Sequence, residues 1–162
     1  MIGSAGSNEK CAWLRNVAKV DVAVNYRDAH LRKSLKEAAP NGIDVYFDNV
    51  GGEQLNAALP RTRPNGRIGM CGMISAYNNE GAMSEGVVTL PTMMHNRISM
   101  RAYIWQDHIH LWPQFLTAMR GWLGTGAMLG ETTVYKGLEA VPEAIVVLFE
   151  GGNLGKMLVK LG

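Results

Sequence analysis

Apolar positions bounded by turn residues divide the chain into alternating extended and helical stretches. Met1 to Gly6 reads as the end of a strand, and Ser7 can cap a helix over Asn8 to Val17, where Cys11, Leu14 and Val17 recur at helical spacing beside Trp13. Val20 to Val24 is a short strand, and Asp28 caps a second helix, Ala29 to Ala38, stopped by Pro40-Asn41-Gly42. Ile43 to Phe47 reads as a buried strand ending in Asp48-Asn49-Val50-Gly51-Gly52, with a third helix from Glu53 to Leu59 ended by Pro60. Gly66 to Cys71 is the next strand, and the polar stretch from Gly72 to about Met83 is a long loop. Beyond it, Ser99 to Trp105 is a β-rich strand and Leu111 to Leu123 an amphipathic helix with Trp112, Phe115, Leu116, Met119 and Leu123 on or near one face. Thr132 to Tyr135 is extended, Glu143 to Phe149 is a helix opened by Pro142, and Gly155 to Leu161 closes the chain as a strand. Strands alternating with helices of about ten residues predict a parallel α/β sheet with crossovers.

Composition narrows the classes. The 162 residues, 47% hydrophobic and 19% charged, are the size of one globular domain and need no disulfide or metal to hold a core. Sixteen basic and 14 acidic residues, spread along the chain, argue against a polybasic nucleic-acid binder. Cys11 and Cys71 form no CxxC or Cys/His cluster, so a reduced, cytoplasmic protein is expected. No apolar run reaches the ~18 residues of a membrane span, which predicts a soluble chain with no membrane partner. His108 and His110 have HxH spacing without a third ligand nearby, so no metal site is expected; His30 and His95 read as surface positions. Cys71, at a strand end with no basic neighbour, reads as a small buried residue. The methionines read as fillers of irregular core or interface gaps.

In open parallel sheets, ligands bind beyond the carboxyl ends of the strands. After the first strand, Gly3-Ser4-Ala5-Gly6-Ser7 leads to Lys10, with no acid before Glu9. Small residues and a lysine there suit a nucleotide 2′-phosphate better than a 2′-hydroxyl, although on these residues alone a capped helix with a surface lysine is the favoured reading. After the third strand, Asn49 offers a donor and an acceptor beside glycines that permit close backbone approach, as an ordinary tight turn also does. After the fourth, Cys71-Gly72-Met73-Ile74-Ser75-Ala76-Tyr77 is a small-residue loop carrying a hydroxyl and a phenol. Tyr77 is the candidate catalytic group, able to hydrogen-bond a substrate carbonyl; packing is its plain alternative.

Taken together, Gly42 to Glu53, Gly66-Arg67-Ile68 and Cys71 to Asn78 resemble the zinc-independent medium-chain reductases that include the prostaglandin and leukotriene B4 reductases and bacterial NADPH-dependent alkenal or curcumin reductases. Gly6 to Leu14, Asn25-Tyr26 and Phe149 to Lys156 fit the same family in the same order. The resemblance implies that Lys10 and Tyr26 hold the NADP 2′-phosphate and that Asn49 contacts the cofactor. It places Cys71, Gly72, Met73, Ile74, Ser75, Ala76 and Tyr77 along its ribose and nicotinamide. Tyr103, Ile104 and Trp105 would line it, and Asn153 would reach back to it. It further implies reduction of the carbon–carbon double bond of an α,β-unsaturated ketone or aldehyde, without zinc.

The departures shape the remaining expectations. Family members are about twice this length and carry a glycine-rich turn for the pyrophosphate, and no GxGxxG occurs here. Lys19 stands where relatives often have glycine, and Asn79 to Leu90 lacks the proline-rich character of the family's loop. The expected fold is an incomplete doubly wound, Rossmann-like parallel sheet lacking its first strand and glycine-rich turn. Residues 1–130 would form a partial NADP-binding domain and 131–162 a segment that in the family packs on the substrate domain. In the strand order 3-2-1-4-5-6, the loss of strand 1 leaves a gap between the strands beginning at Met1 and Ile43. Either those strands pair directly or another copy fills the space, and Ser99–Trp105 resembles the edge strand through which subunits pair, so a homo-oligomer is expected. Two function classes follow: an NADP-dependent enone reductase completed by a partner or by a full-length chain that supplies the other half, or a non-catalytic, oligomerising remnant with weak nucleotide affinity. Alone, the chain is expected to be inactive, since a single solvated phosphate contact contributes about 1–3 kcal/mol.

Overall fold

The computed structural model describes residues 1–28, 30–77 and 86–162; the expected helix start at Ala29, the matched Asn78 and the end of the expected loop, from 78 to about Met83, lie outside them. The chain divides into two compact units, Met1–Arg15 with Lys19–Ile109, and Asn16–Ala18 with His110–Gly162.

The first unit contains β1 (Ile2–Ala5), α1 (Asn8–Asn16), β2 (Val22–Asn25), α2 (Leu31–Ala38), β3 (Ile43–Asp48), α3 (Gly52–Ala58), β4 (Thr62–Met70), α4 (Pro91–Asn96) and β5 (Ser99–Ala102). Each ladder is parallel: β1 pairs with β2 from Ile2↔Val22 to Ala5↔Asn25, β3 with β4, and β4 with β5. Helical crossovers join the strands, as parallel pairing requires. The ladders fit the doubly wound order, with one place vacant: among the described residues none joins β1 to β3. Direct pairing across the expected gap does not occur.

Two apolar clusters hold this unit together. Leu55, Leu59, Ile68 and Ile98 are buried together, with Tyr46, Met70, Met93 and Met100 packed against them, so α3, α4 and the middle of β4 share one core. Val24, Leu31 and Ala57 form the second, smaller cluster, joining α2 and α3 to β2. The amide of the buried Asn56 donates to the Gly86 carbonyl, and its oxygen accepts from the Thr89 amide and hydroxyl. Asn96 donates to the Thr62 carbonyl, fixing α4 to the start of β4.

Several local expectations are corrected. Asp28 is not a helix cap: α2 begins at Leu31 behind His30, without a side-chain cap. Val17 lies past the end of α1 and is exposed, while Cys11 is buried. The strand after α3 begins at Thr62, four residues earlier than Gly66, and its first part is looped out, with Asn65 at φ 62° between the Ile43↔Thr62 and Val45↔Arg67 pairs. The regular ladder starts at Arg67, where apolar alternation begins. β5 ends at Ala102, not Trp105, which opens a 3-10 segment to Leu111. The helix α4 was not foreseen.

The second unit contains α5 (Trp112–Gly124), β6 (Thr132–Lys136), α6 (Val141–Glu150) and β7 (Lys156–Lys160). β6 and β7 pair in parallel from Thr132↔Lys156 to Lys136↔Lys160. The Thr133 hydroxyl bonds both the carbonyl and the amide of Leu154, closing the turn before β7. The stripe expected to bury α5 is not buried: Trp112, Phe115 and Leu123 are all exposed, Trp112 and Phe115 stacking with centroids 5.3 Å apart. Leu116 and Met119 of the same stripe are half-buried, so α5 has the 3.6-residue period but only part of its stripe is covered.

Candidate functional site

The expected site residues of the first unit gather at the carboxyl ends of its parallel strands, in two groups. At the end of β1 and β2, the Ser7 hydroxyl accepts from the Lys10 amide, which caps α1 and sets Lys10 in its first turn. The Tyr26 amide donates to the Ala5 carbonyl, carrying the ladder one step past β2. Its phenol lies over Gly6, where a Cβ would stand 2.7 Å from the hydroxyl oxygen, so a larger residue would make the ring shift. Asn25 donates to the Asn8 side chain at 3.0 Å, tying the end of β2 to the start of α1. Lys10 and Tyr26 thus flank one turn.

At the end of β3, β4 and β5 the turns are interlocked. The buried Asp48 carboxylate accepts from the Val50 and Gly51 amides and shapes the turn that carries Asn49. Amides of the following loop then bond back to it: Cys71 to the Asp48 carbonyl at 2.7 Å, Ile74 to Asn49 and Ser75 to Val50, with the Ser75 hydroxyl also donating to Val50 at 2.6 Å. A Cβ on Gly72 would lie 2.9 Å from the Asn49 carbonyl oxygen, so this approach needs glycine. Ile74–Ala76 form a 3-10 turn, and Tyr77 follows it, 68% exposed. The Tyr103 amide donates to Met70, and its ring lies against Phe47 with centroids 6.1 Å apart. Burial, then the Cys71 thiol alongside, raises the Tyr103 phenol above its ordinary pKa. Ile104 and Trp105, just beyond, are exposed.

Cys71 is exposed rather than buried, because it stands one residue past the end of β4, where the sheet gives way to the loop. Burial also pushes the Tyr46 phenol up, and the Asp48 charge adds to the shift. Phe47, not foreseen as a site residue, sits beside Tyr103 across the bare Gly69, and that glycine opposite an aromatic was its available signal. His108 meets the Tyr103 ring edge-on at 6.3 Å. Asn153 belongs to the second unit, where its amide donates to the Gly155 carbonyl at 2.7 Å. Among the described residues, no three His, Cys, Asp or Glu side chains are placed to hold a metal ion, and no helix is long and apolar enough to cross a membrane.

This end-of-strand arrangement has counterparts. A sequence profile described as zinc-binding dehydrogenase matches residues 1–120. The chain belongs to the zinc-binding dehydrogenase family. It is 41% identical to the NADP(+)-dependent 2-alkenal reductase of Nicotiana tabacum over 160 residues, covering 98% of this chain and 46% of the relative. It is 38% identical to prostaglandin reductase 1 of Bos taurus, covering 99% and 49%. Among solved structures it superposes on CurA of Vibrio vulnificus in complex with NADPH with a TM-score of 0.91 at 34% identity, covering 99% of this chain and 49% of that one. The chain therefore spans about half the length of the curated relatives it matches.

Proposed function

We propose that this chain is the cofactor-holding portion of an NADP-dependent oxidoreductase acting on α,β-unsaturated ketones or aldehydes. The observation that carries the reading is its likeness, over nearly its whole length, to the NADPH complex of CurA and to the NADP(+)-dependent 2-alkenal reductase. The residues fit the two ends of such a cofactor. Lys10, beside the capped start of α1, and the Tyr26 phenol over Gly6 offer positive charge and a hydroxyl to a 2′-phosphate. Asn49 offers its side-chain amide, and Cys71, Gly72, Met73, Ile74, Ser75 and Ala76, held in place by their own backbone bonds, form with Tyr103 a wall for the ribose and nicotinamide. Tyr77, exposed at the loop's end, is free of burial constraints and is the group assigned to orient a substrate carbonyl. When bound, the cofactor supplies the hydride. Ile104, Trp105 and, from the second unit, Asn153 are assigned to the same cofactor by family resemblance. Two free cysteines suit a reducing, cytoplasmic compartment, and the outer edge of β5 is the assigned surface for homo-oligomer pairing.

A non-catalytic remnant is the second reading, favoured by the absence of a GxGxxG turn between the two groups. Titrating NADPH and NADH into the chain separates them. The proposed reading expects a preference for NADPH that Lys10→Ala abolishes, whereas the remnant reading expects affinity of about millimolar or weaker, as one or two solvated contacts allow. Equal binding of both cofactors, or no effect of Lys10→Ala, would contradict it, whereas micromolar affinity or turnover of an enone would reject the remnant.

A further inference from the structure

The turn after β1 carries a third polar side chain besides Lys10 and Tyr26. A Cβ on Gly6 would meet the Tyr26 hydroxyl at 2.7 Å and the Arg27 Nε at 3.3 Å, so a phenol and a guanidinium both lie over the same bare turn. Successive side chains of a strand point to opposite faces, so Tyr26 and Arg27 would part if β2 ran on. The strand ends at Asn25 instead, and the chain turns there. The Asn25 side-chain oxygen accepts from the Arg27 amide at 3.1 Å, and the Asn25 carbonyl accepts from the Asp28 amide. The Asn25 side-chain nitrogen donates to Asn8 at the start of α1, which ties this Asx turn to the neighbouring helix. Arg27 is thereby folded back over Gly6 beside Tyr26, and Lys10 stands in the first turn of α1, its amide bonded to Ser7.

The three groups differ in setting and in kind. Lys10 and Tyr26 are half-buried, whereas Arg27 is exposed. A lysine is a point charge and a phenol offers one hydroxyl, so neither fixes the orientation of a tetrahedral dianion; a guanidinium presents parallel N–H groups to two of its oxygens. We infer that Arg27 is a specificity-determining residue of this turn: it grips two oxygens of a phosphomonoester whose charge Lys10 and Tyr26 also meet. Selection of a 2′-phosphorylated nucleotide then rests on Arg27 as well as on Lys10. The inference takes the identity of the ligand from the cofactor reading and adds to it a residue and a mode of contact.

The probes are 2′-AMP and 5′-AMP, which differ only in where the phosphate sits, each titrated into the chain and followed at the Gly6, Ser7 and Lys10 amides by NMR. The unaltered chain is expected to bind 2′-AMP more tightly. Arg27→Ala should weaken 2′-AMP about tenfold and leave 5′-AMP unchanged, as the loss of one charged contact allows. Arg27→Lys keeps the charge and loses the fork, so it should restore only part of the lost affinity. In the absence of nucleotide, both variants should keep the amide spectrum of β1, β2 and α1, because Arg27 is exposed and its backbone bond to Asn25 survives substitution. No preference for 2′-AMP in the unaltered chain would overturn the cofactor reading and this inference together. A preference that Lys10→Ala removes and Arg27→Ala leaves intact would overturn the role of Arg27 alone. Equal weakening of both nucleotides, or full recovery by Arg27→Lys, would likewise overturn it, by reducing Arg27 to a structural part or to a diffuse charge.

Discussion

The two sides of the vacant place in the sheet differ in how they are held. The β3–β4–β5 side has a three-strand ladder, a core of four buried apolar side chains reaching from α3 to the start of β5, and turns that bond directly to one another at the strand ends. The β1–β2 side has a two-strand ladder and shares the smaller Val24, Leu31 and Ala57 cluster. The difference teaches where preorganisation lies: the turns assigned to the ribose and nicotinamide are fixed by internal hydrogen bonds, whereas Lys10 and Tyr26 ride on the side with fewer restraints.

The comparison can be broken most forcefully in the cores. Leu59→Ala removes a side chain with no exposed surface and should cost ~2–5 kcal/mol, against about 1.5 kcal/mol for Val24→Ala, both read by urea denaturation. Equal losses would erase the asymmetry. At the strand ends, Gly72→Ala forces a Cβ against the Asn49 carbonyl and should cost about 1–3 kcal/mol, with faster exchange of the Ile74 and Ser75 amides as the local sign.

Alkaline pH sharpens the same contrast. Tyr46 has a raised folded-state pKa, so its neutral form is favoured by folding. Its contribution is fully present below the unfolded value of about 10 and is lost as pH rises above it, by at most ~1.4 kcal/mol per pH unit. Tyr46→Phe should flatten that part of the stability–pH curve, as followed by thermal melts. The smallest effect belongs to the β1–β2 side: Lys19 holds φ 59°, and Lys19→Gly should stabilise the chain by up to about 1 kcal/mol.

Lys19 also shows what was legible in the sequence. It stood out there only as a departure from an expected glycine, and its left-handed φ of 59° is what the structure adds. The strand-end turns were readable because Gly, Asn and Asp punctuate apolar runs, and Ser7 capped the helix it was expected to cap. Other features were not local. Asp28 has cap chemistry, yet α2 starts three residues later, behind His30. Cys71 looked buried by type, and its exposure follows from where β4 stops relative to the loop. The stripe on α5 has a helical period, but period alone does not say whether a covering layer is present. Nor could the sequence show that Asn49, Cys71–Ser75 and Tyr103 share one hydrogen-bonded corner, because their bonds join turns about 25 residues apart, such as Ser75 to Val50.

The central claim is that the sheet is open between β1 and β3, dividing the candidate site. Residue-resolved amide exchange of the unliganded chain tests it most directly. The account predicts alternation along both rims: fast exchange at Ile2, Ser4, Val45 and Phe47, and protection at Gly3, Ala5, Tyr46 and Asp48, whose amides bond to β2 and β4. Uniform protection along β1 and β3 in the dilute, isolated chain would contradict it.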